Sequence, residues 1–135
     1  MEYKKCRYRI IKSDASQPYH FVLVNSDDQI LITSENYTTK ANALNGIESV
    51  KENGQHRQNF ELRTAQDGRP YFVLKAKNGE IIATSQMYKS EEARETELQD
   101  VIKYAKHADI EDTTLSSGPI VSNNAKRSES NKRYA

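Results

Sequence analysis

Residues 21–37 read FVLVNSDDQILITSENY, and residues 71–88 read YFVLKAKNGEIIATSQMY. When the chain is shifted by 51 residues against itself, eight of thirty aligned positions are identical, from Phe21 over Phe72 to Val50 over Val101. Upstream, Tyr8-Arg9-Ile10 aligns with Phe60-Glu61-Leu62. Repetition at a fixed spacing indicates repeated supersecondary units, and two copies are too few for a solenoid. The sequence therefore predicts two pseudo-symmetric units that share one core.

Each copy begins with two runs of alternating apolar and polar residues, which predict a β-hairpin. Asn78-Gly79 lies between the runs of the second copy and predicts a two-residue type I′ turn. The first copy has Asp27-Asp28 at this place, which predicts a longer or less tight turn. The turn at Asn78-Gly79 predicts three pairs across the strands, namely Ala76 with Ile81, Leu74 with Ala83, and Phe72 with Ser85.

After each hairpin the apolar spacing changes to about 3.6 residues, which is typical of a helix. The first helix is predicted to begin near Thr39 and to end at Asn53-Gly54, and the second has Ser90 as its N-cap residue. The segments Gln58–Thr64 and Asp109–Thr114 are predicted to be strands that follow the helices. The apolar stripes that should face the sheet are Ala43, Leu44, Ile47 and Val50 in the first helix, and Leu98, Val101, Ile102 and Ala105 in the second.

A chain of 135 residues is most consistent with one domain, and its 36% apolar content predicts a small core in a very soluble protein. Residues 116–135 read SSGPIVSNNAKRSESNKRYA and contain too few apolar side chains to offset the entropy of ordering them. We therefore expect a single domain over residues 1–115, built from repeats at about 5–57 and 58–115, and a disordered basic tail over 116–135.

The formal net charge is only +1, but basic residues gather at both ends of the chain. Solvated termini are the simpler explanation. The alternative is weak, salt-sensitive RNA or DNA binding through the basic N-terminal strand and the tail. The basic residues concerned are Lys4, Lys5, Arg7, Arg9 and Lys12 near the start, and Lys126, Arg127, Lys132 and Arg133 near the end.

The pattern F-V-L-x-x-x-N-G-x-I-I-x-T-S-x-x-Y, followed by a helix that begins at Ser or Thr and repeated in tandem, resembles the YegP-like family of small bacterial proteins. The resemblance covers roughly residues 5–115. It implies an α+β fold in which two pseudo-symmetric β3-αβ repeats form a single, mainly antiparallel sheet with exchanged terminal strands and two helices on one face. A tandem chain completes this arrangement alone, which implies a monomer. The family has no established activity, so the resemblance assigns no role to any residue.

Metal ligation requires clustered ligands, and His20, His56 and His107 lie far apart in the sequence. Cys6 is the only cysteine, which excludes an intramolecular disulfide and fits a reducing compartment. The N-terminus has no apolar core of a signal peptide, and no window approaches a membrane span. We expect a cytoplasmic protein that has no metal site and does not associate with membranes.

Catalytic groups are also not evident. Ser34 and Ser85 follow strands without a G-x-S-x-G context, and we interpret them as hydroxyls that satisfy backbone groups. The five glycines are too scattered for a loop that binds phosphate. The sequence therefore predicts a protein that is not an enzyme, with no catalytic residues and no cofactor.

Both copies keep Thr-Ser-x-x-Tyr where the last strand meets the helix. The structural interpretation is that Tyr37 and Tyr88 pack beneath the helices, and the functional one is that they form symmetry-related contacts for a ligand. Asn45-Gly46 are further candidate contacts, but only the first helix keeps them, so a ligand role would exist in one copy only. Gly46 is explained structurally by close approach of the helix to the sheet, or simply by tolerance.

The leading hypothesis is a non-catalytic interaction module that binds a protein partner through the sheet face opposite the helices. If the helices cover one face, half of the side chains on the other face are apolar, and a contiguous apolar patch marks an interaction surface in many proteins. The candidate residues on this face are Val22, Val24, Leu31, Val73, Lys75 and Ile82.

Overall fold

The computed structural model describes residues 6–115, so the segment expected to be a tail lies outside the described residues. Helix α1 spans Lys40–Asn53 and helix α2 spans Glu91–Tyr104. Short 3-10 turns follow them at Arg57–Asn59 and Ala105–His107. The strands are β1 (Arg7–Lys12), β2 (Tyr19–Val24), β3 (Ile30–Ser34), β4 (Phe60–Thr64), β5 (Pro70–Lys75), β6 (Ile81–Ser85) and β7 (Asp109–Asp112).

All seven strands belong to one sheet, in the order β4-β5-β6-β3-β2-β1-β7. Neighbouring strands are antiparallel, except that β7 runs parallel to β1. The strand after α2, β7, pairs with β1 of the first repeat, and the strand after α1, β4, pairs with β5 of the second. This arrangement confirms the predicted α+β fold with exchanged terminal strands.

The hairpin turns differ from the predicted type I′ geometry. Gly79 donates its backbone N–H to the carbonyl of Ala76, and its φ of 87° places it in the left-handed region. The loop is therefore a three-residue type I turn closed by a left-handed residue, in which positive φ is needed once. Asp28 makes the same bond to Asn25 with a φ of 60°, so the turn of the first copy is neither longer nor looser.

Both helices begin where the sequence predicts. The Thr39 hydroxyl accepts the backbone N–H of Asn42, and the Ser90 hydroxyl accepts that of Ala93. Such caps satisfy N–H groups that have no partner within the helix. Both helices contribute side chains to the same buried cluster as one face of the sheet, which includes Tyr8, Ile10, Phe21, Leu23, Ile47, Val50, Phe72, Leu74, Leu98 and Val101.

The hydroxyls of Ser34 and Ser85 complete the strand ends, as predicted. Ser85 Oγ accepts the backbone N–H of Phe72 at 2.9 Å and donates to the carbonyl of Gln86 at 2.8 Å. Ser34 makes the equivalent pair of bonds to Phe21 and Glu35. The same two bonds therefore occur once in each repeat, and their atoms are engaged in structure.

An ion pair joins the exchanged strand β7 to the first repeat. Lys40 Nζ, at the start of α1, lies 2.8 Å from Asp112 Oδ2, and Thr114 donates its backbone N–H to the same carboxylate. Burial raises the pKa of Asp112, but the hydrogen bonds from Lys40 and Thr114 outweigh it, so the pKa lies below its ordinary value. The charged carboxylate is therefore the form that stabilises the fold.

The Ser85→Ala substitution leaves the buried N–H of Phe72 without its acceptor, so we expect the free energy of unfolding to fall by about 1–3 kcal/mol. Urea denaturation followed by circular dichroism measures this loss. Ser26→Ala, in an exposed loop, is the matched control and should change stability by less than about 0.5 kcal/mol. Equal midpoints for the two variants would contradict the structural role of the Ser85 hydroxyl.

Asp112→Asn should lower stability at pH 7 by up to about 1 kcal/mol, because it removes the pair with Lys40. Since the folded pKa of Asp112 is depressed, this contribution is complete above the unfolded pKa of about 4 and disappears as the pH falls through the folded value. The stability difference between wild type and variant should thus shrink between pH 5 and pH 2. Thermal melts of wild type and Asp112→Asn over this pH range test this expectation. Asp14→Asn, in an exposed loop, is the control variant. A difference that is independent of pH would exclude the ion pair as its source.

Candidate functional site

The sheet face opposite the helices does not expose the apolar side chains that the sequence analysis placed there. Val22, Val24 and Val73 are 3%, 0% and 1% exposed. The expectation of an exposed apolar patch at these positions is therefore wrong, and a protein partner finds no accessible valine on this face.

Ion-paired side chains on the neighbouring strands account for this burial. Arg9 lies beside Val22 and Arg7 beside Val24, and both arginines pair with Asp28 and Glu111. These bonds fix the arginines next to the valines, and the alkyl portions of such long cationic side chains commonly shield apolar neighbours from water. The pKa of Glu111 is lowered by the hydrogen bonds from Arg7 and Arg9.

A second set of charges lies at the other end of the face. Glu61 is opposite Val73 across β4 and β5 and forms ion pairs with Lys75 and Arg63. These two cations hold the pKa of Glu61 below its ordinary value, with Lys75 the larger contributor. Lys75 is thus the one candidate on this face that is partly exposed, and its charge is compensated.

Leu31 and Ile82 do not belong to this face at all. Leu23 pairs with Ile32 but Val24 pairs with Ile30, so Leu31 is an extra residue in a β-bulge. The register between β5 and β6 shifts in the same way, and Ile82 is the extra residue. The pairing of Leu74 with Ala83 is confirmed, whereas Ile81 lies opposite Lys75 instead of Ala76. Because a bulge reverses the alternation of side chains, Leu31 and Ile82 join the core beneath the helices.

Tyr37 packs beneath α1. Its ring is stacked on Phe21 with 6.3 Å between ring centroids, and it lies against Gly46. A Cβ atom at Gly46 would lie 2.4 Å from Tyr37 Oη and 3.0 Å from Phe21 Cε2. Gly46 is therefore required for close approach of the helix, which is the structural interpretation offered above. Burial and then the charge of Glu35 raise the pKa of the Tyr37 phenol.

A cleft of about 540 Å³ with a mixed polar and apolar lining lies between α1 and the β5–β6 hairpin. It brings together Tyr37, Asn45 and Gly46, three of the four motif residues singled out in the sequence. The other lining residues are Glu35, Asn42, Ser49, Ala76, Asn78, Glu80, Ile81 and Ile82. Its lining contains carboxylates and amides, and the Ser49 hydroxyl among them accepts a hydrogen bond from the Asn53 side chain.

Tyr88 repeats the packing of Tyr37 in the second repeat. Its ring is stacked on Phe72 with centroids 6.3 Å apart, and its buried hydroxyl has no hydrogen-bond partner within residues 6–115. Glu97 stands where the first repeat has Gly46, and burial followed by the charge of Glu97 raises the pKa of Tyr88. Each tyrosine thus packs on the phenylalanine of its own repeat, and Tyr88 does not line the cleft around Tyr37.

The outer edge of β4 is a feature that the sequence analysis missed. Ala65, which directly follows β4, donates its backbone N–H to the carbonyl of Arg69, so its backbone groups point toward the β5 side. Phe72, which lies opposite Leu62 on β5, directs its N–H away from β4 toward Ser85. Hydrogen-bonding directions alternate along a strand, so Leu62 and Thr64 point their N–H and C=O groups outward. Within the described residues β4 pairs with β5 only.

The equivalent edge of β1 is covered. Ile10 and Leu62 occupy the same position in the two repeats, yet Ile10 is fully buried whereas Leu62 is 45% exposed. The difference arises because β7 pairs with β1, whereas no strand of residues 6–115 lies on the outer side of β4. Two features of the sequence could have revealed this open edge. They are the alignment of Ile10 with Leu62 and the number of predicted strands.

Comparison with known proteins agrees with these repeats. The family model described as "Domain of unknown function (DUF1508)" matches residues 14–61 and again residues 65–112. The chain belongs to the DUF1508 family. The first matched segment ends within β4 and the second ends with β7, so the unit of the family includes the strand after the helix.

Several bacterial proteins of the UPF0339 group are similar to this chain. The UPF0339 protein YegP of Yersinia pestis is 41% identical over 108 residues, which cover 80% of this chain and 96% of that protein. A solution NMR structure of the UPF0339 protein SO3888 from Shewanella oneidensis has a TM-score of 0.74 at 40% identity, covering 80% of this chain and 91% of that one. The structure of yegP from E. coli, described as a protein of unknown function, has a TM-score of 0.77 at 35% identity, with 87% and 100% covered.

Over residues 6–115, no helix is long and apolar enough to cross a membrane. In the same range, no group of three or more His, Cys, Asp or Glu side chains is placed to hold a metal ion.

Gly46→Ala should destabilise the fold, because the overlap with Tyr37 costs about 1–3 kcal/mol and the gain in helix propensity returns only about 1 kcal/mol. Asn45→Ala, at the exposed neighbouring position, makes the matched control. Adding Tyr37→Phe to Gly46→Ala removes the nearest overlapping atom and should recover part of the loss. Urea unfolding of wild type, Gly46→Ala, Tyr37→Phe, the double variant and the control tests this coupling, and purely additive effects would show that Tyr37 does not require the glycine.

Proposed function

We propose that this DUF1508 protein is a non-catalytic interaction module that binds an extended segment of a partner protein along the outer edge of β4. The observation that carries the proposal is the contrast between buried Ile10 and exposed Leu62. The two residues are equivalent in the repeats, and in the part of the chain that the structure describes a strand covers only the first.

An open edge offers the interactions that a partner strand requires. Leu62 and Thr64 direct their backbone donors and acceptors outward, and main-chain hydrogen bonds to such groups provide affinity when a peptide extends a sheet. The exposed side chain of Leu62 adds an apolar contact on the side of the helices. This edge replaces the valine-rich face as the surface for the partner, because those valines are buried.

RNA or DNA binding is supported less well. Among the described cations of the basic N-terminal strand, Arg7 and Arg9 are each paired with Asp28 and Glu111, and Lys12 Nζ lies 5.6 Å from the ring centroid of Tyr19. Neutralised cations release few counterions from a nucleic acid, so they contribute little affinity. The basic tail lies outside the described residues and adds no support from structure.

The remaining parts of the proposal follow from the sequence. The single Cys6 favours a cytoplasmic location, and two repeats in one chain favour a monomer. A non-catalytic role is proposed because the hydroxyls of Ser34 and Ser85 are engaged by backbone groups.

Selection of random twelve-residue peptides on the immobilised protein tests the proposal without a known partner. We expect selected peptides to lose at least about tenfold in affinity for Leu62→Pro, which removes an outward N–H but no bond within the sheet. Leu62→Lys provides a second variant that keeps the backbone donor and removes the apolar contact. Ile110→Lys is the matched control, because Ile110 is similarly exposed on the opposite edge strand.

Circular dichroism establishes that each variant is folded before its binding is measured. Selected peptides that bind Leu62→Pro and Leu62→Lys as tightly as they bind wild type would place the binding surface elsewhere and overturn the proposal.

A further inference from the structure

We infer that the β4 edge selects an antiparallel strand that carries an acidic, an apolar and a basic residue in that order. This inference rests on the proposed function, since it names the chemistry of the partner for the same edge. The residues that decide it are Glu61, Leu62 and Arg63.

The backbone directions determine which residues of a bound strand face which residues of β4. Leu62 points its N–H and C=O groups outward, so an antiparallel partner exchanges two hydrogen bonds with it. Glu61 and Arg63 then become non-hydrogen-bonded positions, where facing Cα atoms are only about 4.5 Å apart and side chains are closest. The charges at these two positions therefore affect binding more strongly than those elsewhere on the edge.

The charges at these positions are of opposite sign. A partner residue that faces Arg63 is favoured if it is acidic. The reason is that this side of the sheet carries two positive charges, on Arg63 and Lys75, and one negative charge, on Glu61. A residue facing Glu61 is favoured if it is basic, since like charges directly opposite each other destabilise a sheet. Read from its N-terminus, the antiparallel partner thus carries an acid, an apolar residue facing Leu62, and a base.

The edge also excludes the strand that covers β1. On β1, Arg7 and Arg9 face the acidic strand β7, and both pair with Glu111. Position 61 is equivalent to Arg9 but holds a glutamate, so β7 from another molecule would place Glu111 beside Glu61. The reversal of charge between the two edges keeps β7 on β1 of its own chain and leaves β4 for a strand of different composition.

Residues 59–65 of this chain, NFELRTA, contain the required order of charges in E-L-R. This heptapeptide, with blocked termini, is therefore the probe, and the same peptide with its glutamate and arginine exchanged is the control. We expect the isotope-labelled full chain to bind the first about tenfold more tightly than the second at low salt, because two facing ion pairs are replaced by two like-charge pairs. The difference should shrink as salt screens the charges.

The amide shifts of the labelled protein report where and how the peptide binds. Leu62 and Thr64 direct their N–H groups outward and should shift most, whereas the N–H groups of Glu61 and Arg63 point toward β5 and should shift less. N-methylation of the peptide leucine should abolish binding, since that amide faces Leu62. N-methylation of the peptide glutamate or arginine should preserve it, because those amides point away from β4.

The outcomes separate the inference from the proposed function. Equal shifts of the β4 amides with both peptides would overturn the charge rule and leave the proposed function intact. No shift at β4 with either peptide, together with selected peptides that ignore Leu62→Pro, would overturn both. Shifts of the same amides with protein concentration alone, abolished by Leu62→Pro, would replace the peptide with a second copy of this chain as the occupant.

Discussion

The fold depends on the pairing of β3 with β6, where the two repeats meet. Thr33 lies opposite Thr84, and these two residues occupy the same position in their repeats. The junction therefore pairs the repeats about a pseudo-twofold axis. A slip of one residue would turn Ile32 and Ala83 away from the helices, because side chains alternate along a strand. The β3–β6 register that joins the repeats therefore also places the apolar side chains of both repeats on the same face, where they form one core.

The sequence contained enough information to place most of this core. The repeat, the helix caps at Thr39 and Ser90 and the bonding role of Ser34 and Ser85 all follow from local chemistry that acts within a few residues. Leu31 and Ile82 could not be placed in this way. Apolar alternation does not reveal how many residues a loop uses or where a strand bulges, and one extra residue transfers a side chain to the opposite face.

The prediction that Val22 and Val24 are exposed was wrong for a different reason. Their positions in the strand are as expected, but the cover over them comes from Arg7 and Arg9, which are held by Glu111 at the far end of the chain. Such a contact depends on the parallel docking of β7 on β1, a consequence of tertiary topology. The same docking buries Ile10, so one exchanged strand accounts both for the closed face and for the closed edge of the first repeat.

The open edge at β4 is the geometric consequence of joining two such repeats in one chain. The strand after α1 is also the first strand of the second repeat, where it pairs with β5. Within the described residues no further strand lies on its outer side. Open edges invite unselective pairing unless the strand is short or carries charge. β4 has five residues and places Glu61 and Arg63 on either side of Leu62. An edge of this kind resists strands of like charge, yet it keeps the outward backbone groups that a matching strand would need. This is why we interpret it as a selective binding surface rather than a protected end of the sheet.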